Sequence, residues 1–191
     1  MSDRDRVLVA YGSKHGATAE IAEAVANALT RAGLAVDLKR ARGVRSLEPY
    51  RGVVLGSAVY AGRWRGDALR LLRRPELRDR DLWLFSSGTV GEDSGDPEQL
   101  ERVTRPPRVQ QIAADLGAHE HAVFGGMVAE DAGLIRKKMA RRIPPELRDR
   151  RDWDGIDAWA QSIAAVLGAR SGTLTRPQQT GGPIVPGSRP G

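Results

Sequence analysis

Short apolar runs alternate with amphipathic stretches along most of this chain, and the alternation predicts its elements. Residues 6–11 (RVLVAY) are rich in Val and Leu and suit a buried parallel strand. Over 18–32, Ile21, Val25 and Leu29 fall four apart among alanines, which is one face of a helix, and Gly33 supplies a stop. Residues 34–38 (LAVDL) read as a second strand and 52–57 (GVVLGS) as a third, buried on both faces. A short helix over 67–74 ends at Pro75, and 81–86 (DLWLFS) is the fourth strand. Helix 108–116, strand 120–124 (EHAVF) and an amphipathic helix over 154–167 complete the series. In that last helix Ile156, Trp159, Ile163 and Leu167 share a face.

Strands alternating with helices imply βαβ units and a mostly parallel sheet covered on both sides, a doubly wound three-layer domain. Ligands of such domains sit outside the carboxyl ends of the strands. That rule singles out the segments after Tyr11, Ser57 and Ser86. Two connections are long. Residues 88–107 hold Gly, Asp, Pro and Ser without apolar pattern, and 125–152 are basic, with eight Lys or Arg against three acids over 136–152. Long loops in compact domains are usually functional or disordered.

Composition narrows the picture. With 191 residues, 40% apolar and 28% charged, the chain has the balance of one soluble globular domain, assigned to 1–169. The remainder, 170–191, is rich in Gly, Pro, Thr and Gln and is expected to be disordered. There is no cysteine, which excludes disulfides, thiolate metal sites, iron–sulfur ligation and cysteine nucleophiles. Three histidines, His15, His119 and His121, make a poor basis for a metal site, and none is assigned. The beginning, MSDRDRVLVAYGS, lacks a signal-peptide layout, and no apolar run spans a membrane, so a cytoplasmic location is expected. A net charge of +6 and a pI near 10.3 suit anionic partners or simply a solvated Arg-rich surface.

The chemistry concentrates after the first strand, in Gly12, Ser13, Lys14, His15, Gly16, Ala17 and Thr18. A strand-to-helix loop of this kind offers unpaired amides and a helix dipole to a phosphate. Gly12 and Gly16 let the backbone turn close to an anion, and Ser13 and Thr18 add hydroxyls. The nucleotide-hydrolase P-loop, the GxGxxG fingerprint, the GxSxG elbow and the acidic set of a response regulator are all missing. The loops after strands three and four join this site. Ala58, Val59, Tyr60, Ala61 and Gly62 offer small residues beside a stacking aromatic. Ser86, Ser87, Gly88, Thr89, Val90 and Gly91 offer hydroxyls and amides. Arg63, Trp64 and Arg65 either meet an acidic substrate or form a surface cluster at a helix start.

Val9-x-Tyr11-x-Ser13-x-x-Gly16-x-Thr18-x-x-x-Ala22-x-x-Val25 resembles the flavodoxin signature, with Ala10 where that family prefers a larger residue. The resemblance implies a flavodoxin-like three-layer α/β/α sandwich with a five-stranded parallel sheet, and FMN held by its phosphate at 13–18. Over about 6–168, the run VVLGSAVYAGRWRGDALRLLRR, the strand ending HAVFGG and Asp152-Trp153 resemble the flavodoxin-type, menaquinone-dependent protoporphyrinogen oxidases of haem biosynthesis. This implies an FMN enzyme passing electrons from a porphyrin precursor to a quinone, with a membrane-contacting insertion before the last helix. Here that stretch is basic but poor in large apolar residues, so 136–151 is at most a peripheral contact for anionic membrane. No catalytic side chain is assigned. The rival readings are a flavodoxin that only carries electrons between proteins, and a flavin-free domain using its basic face. A pI near 10.3 opposes the first, because such carriers are typically acidic. The second lacks a nucleic-acid motif, so no nucleic-acid partner is expected.

Overall fold

In the computed structural model, residues 6–14, 16–88, 104–125 and 151–172 are described, the last stretch with side chains as far as 169. The elements are β1 (Arg6–Gly12), α1 (Ala17–Arg31), β2 (Ala35–Arg40), β3 (Tyr50–Tyr60), β4 (Arg63–Trp64), α2 (Gly66–Leu72), β5 (Asp81–Gly88), α3 (Pro107–Leu116), β6 (Glu120–Gly125) and α4 (Trp153–Gly172). Five strands run parallel in the order β2-β1-β3-β5-β6. The order reverses beside β1, and that is where a doubly wound sheet opens its ligand crevice. The sheet holds one strand more than the expected five, because β4 pairs antiparallel with the end of β3.

The period-two alternation of the strands sorts side chains into two cores. Val7 and Val9 of β1, Trp83 and Phe85 of β5 and Phe124 of β6 pack under α1 and α4. Leu8, Val53, Leu55, Leu82 and Leu84 pack under α2 and α3. Burying a leucine or valine contributes about 1.5–3 kcal/mol, and most of these side chains are fully enclosed. The helix stop at Gly33 is as expected: its φ is +86°, and Leu34 N–H bonds back to Leu29 O at 3.2 Å. On α4, Ile156, Trp159, Ile163 and Leu167 all face the core. Asp152 caps this helix, its carboxylate accepting the Gly155 N–H at 2.9 Å. Among the described residues, no helix is long and apolar enough to cross a membrane. Residues 126–150, which hold most of the basic segment, and 173–191 lie outside the described residues.

Candidate cofactor site

The loop between β1 and α1 lies at the carboxyl end of β1, beside the reversal of strand order. Ser13 and Thr18 are buried, and Lys14 is exposed. Ser13 Oγ accepts the Gly16 N–H at 3.2 Å, which folds the loop back on itself. Gly16 sits at φ +95°, open to glycine but strained for other residues, and it begins α1 without any side-chain cap. The ladder of α1 begins with Ala19 and Glu20, both donating to Gly16 O at 2.7 and 3.1 Å. The amides of Ala17 and Thr18 precede that ladder, which leaves the positive end of the helix turned toward the loop. His15 lies outside the described residues.

Gly12 also has a packing role. A Cβ there would stand 2.9 Å from Ala68 Cβ and 3.0 Å from Asp67 Oδ1, so its smallness admits the first turn of α2.

The segment 58–62 is not an open loop. Ala58, Val59 and Tyr60 continue β3, Ala61 (φ 48°) and Gly62 (φ 66°) make the two-residue turn, and Arg63–Trp64 return as β4. Two successive positive φ values are the signature of a type I′ hairpin turn. Gly56, just before this segment, accommodates the ring of Phe85 from the core side.

Buried hydroxyls fasten the hairpin. Ser57 Oγ accepts the Arg65 N–H and donates to Ala58 O, both at 3.0 Å. Trp64 is buried, and its Nε1–H donates to Ser86 Oγ at 2.9 Å. Ser86 Oγ also lies 2.9 Å from His121 Nε2. Having accepted from the indole, the Ser86 hydroxyl has its own proton to give to Nε2, and this order puts the hydrogen of the neutral ring on Nδ1. Burial, and secondarily the charge of Arg105, push the His121 pKa down to about 4. Among the described residues, Nδ1 has no hydrogen-bond partner.

Ser87 is buried and Gly88 half-buried at the end of β5, while Thr89, Val90 and Gly91 lie outside the described residues. Arg63 is exposed, whereas Arg65 is half-buried with Nε 3.7 Å from Asp67 Oδ1. The two later histidines diverge: His119 stacks on Trp83 and pairs with Asp81 at 2.8 Å, away from Ser86.

Two relationships near the site carry no sequence signal. One is the Trp64–Ser86–His121 chain. The other is Arg151, which reaches from the start of α4 to Glu20 on the first turn of α1, Nη1 to Oε2 at 2.6 Å.

This fold and loop define a nucleotide-phosphate-binding α/β domain. A family model described as a flavodoxin domain matches residues 8–152, and the chain belongs to that family. Its cofactor is FMN. No curated protein matches the sequence. A flavodoxin from the domain Archaea superposes with TM-score 0.58 at 12% identity, covering 85% of this chain and 99% of its own. Flavodoxin 2 of Bacillus cereus gives 0.55 at 18%, covering 86% and 99%. Rubredoxin oxygen:oxidoreductase of Desulfovibrio gigas gives 0.58 at 15%, but this chain spans only 37% of it.

The residues fit FMN. A positive-φ glycine, two buried hydroxyl residues and a helix N-terminus without a side-chain cap make a cradle for a phosphate.

Proposed function

We propose that this chain is an FMN-dependent oxidoreductase acting on a small molecule or quinone, in the manner of the protoporphyrinogen oxidases it resembles. The observation that carries the reading is charge. The pI is near 10.3, and the exposed residues at the carboxyl ends of β1 and β2 and on the hairpin include Lys14, Arg40 and Arg63. A carrier that docks on basic reductases needs an acidic face, whereas guanidinium groups beside the crevice suit the carboxylates of an acidic substrate. When bound, FMN supplies the electron and hydride chemistry. In this reading Ser13, Gly16, Ala17 and Thr18 hold its phosphate, with Lys14 and His15 at the rim. The hairpin residues Ala58 to Gly62 wall the ring, Tyr60 providing a stacking face. Ser87 to Gly91 meet its polar edge, the Ser86 hydroxyl being taken by Trp64 and His121. Contact of 136–151 with anionic membrane, from a cytoplasmic location, belongs to the same proposal.

The test is the visible spectrum of purified protein after FMN is added and the excess removed. Flavin bands that are lost when Ser13 and Thr18 become Ala support the site. A screen of the loaded protein with quinones and porphyrinogens then reads the activity. Failure to turn over any small molecule, with ready reduction of a partner protein, would favour the electron carrier. The full coverage of flavodoxin chains by this one is the observation on that side.

A further inference from the structure

We infer that Arg151 is a positioning residue for the phosphate loop, cancelling the charge of Glu20 and so setting how strongly the loop prefers a phosphorylated flavin over an unphosphorylated one. The inference rests on the FMN reading.

Glu20 lies on the first turn of α1, four residues past Gly16. One carboxylate oxygen, Oε1, is 3.7 Å from where a Cβ on Gly16 would stand, so the carboxylate leans toward the loop. A carboxylate gains from the dipole there, as a phosphate does, so the two anions draw on the same end of the helix and repel each other. The second oxygen, Oε2, is held by Arg151 at 2.6 Å.

The arginine is itself fixed. Its side chain is only 5% exposed, against 50% for Glu20, and its guanidinium lies 4.6 Å from the centre of the Trp153 ring. A buried, stacked guanidinium is a poor candidate for a chance surface pair, which contributes little. The ion pair also joins the start of α4 to the mouth of the loop. With Arg151 present, the Glu20 carboxylate is neutralised where it stands. Without it, that carboxylate keeps its full negative charge beside the loop, offset only by the exposed Lys14.

The test is a double-mutant cycle read by quenching of flavin fluorescence, with FMN and riboflavin as the two probes. Arg151→Gln should weaken FMN binding about tenfold, the effect of one like charge at this range near a surface, and leave riboflavin unchanged. Glu20→Gln in that background should restore most of the loss. Arg151→Lys keeps the charge and should retain most of the preference for FMN. Unchanged FMN binding by Arg151→Gln would overturn the inference. So would equal weakening of FMN and riboflavin, or additive losses in the double variant, since each marks a role in structure alone. A wild-type protein that takes up neither flavin would instead overturn the cofactor reading.

Discussion

The ring of Phe85 occupies the space that a side chain on Gly56 would need. The two residues face each other in the β3–β5 register, and a Cβ on Gly56 would stand 1.9 Å from Phe85 Cζ. Both positions are buried in adjacent central strands, so neither has room to yield. Gly56→Ala is therefore expected to destabilise the fold by about 3 kcal/mol, as overpacking with displacement of a core ring does. Urea unfolding measures it. Phe85→Leu in the same chain should recover part of the loss, because the sites are in contact and do not add.

Gly16 holds a positive-φ backbone conformation at the start of α1, in the loop proposed to hold the FMN phosphate. At φ +95° and ψ −43°, outside even the left-handed helical region, an alanine is strained by about 1–3 kcal/mol. Relief of that strain would shift the amides at the start of α1. Gly16→Ala is expected to lower FMN affinity by more than its stability loss alone explains. Titration with FMN beside thermal unfolding separates the two, and unchanged affinity would show that the loop does not hold the phosphate.

His121 makes stability depend on pH. Above about 6.5 the ring is neutral in folded and unfolded chains alike and adds nothing. Between 6.5 and about 4 the unfolded chain takes up a proton that the folded one refuses, so stability falls as pH falls. The loss reaches on the order of 3 kcal/mol by the lower limit. His121→Phe should be less stable at pH 7, because the Ser86 hydroxyl loses the acceptor of its proton, yet flatter over that window. An equally steep curve in the variant would assign the dependence to other groups.

Asp152 caps α4 through the Gly155 amide. Asp152→Ala should cost about 1 kcal/mol and speed amide exchange in the first turn of α4. Exchange in α1 should be unaffected, since the cap is local.

Much of this molecule was legible in its sequence, and the reasons differ by residue. The strands of the sheet were visible because buried parallel strands concentrate Val and Leu, and α1 and α4 because four-residue spacing is unambiguous over that length. The turn from β1 into α1 was legible from Ser13, Gly16 and Thr18, and the positive φ of Gly16 and the burial of the two hydroxyl residues accord with it. The hairpin was hidden. Arg63 and Trp64 are too few to show alternation, and the positive φ of Ala61 belongs to a residue that rarely adopts it. Gly12 and Gly56 make room for Asp67, Ala68 and Phe85, neighbours far along the chain that no local pattern announces. The pairs Ser86–His121 and Glu20–Arg151 join residues 35 and 131 positions apart, and no local pattern encodes a partner at such distance.

The hairpin tied down by Ser57 and Trp64 has a thermodynamic corollary. A ligand settling against it meets a wall whose shape is already fixed, so docking need not freeze a wandering segment. Calorimetry should then find a heat-capacity change no larger than the apolar area of the flavin itself accounts for, without the surplus that accompanies coupled folding.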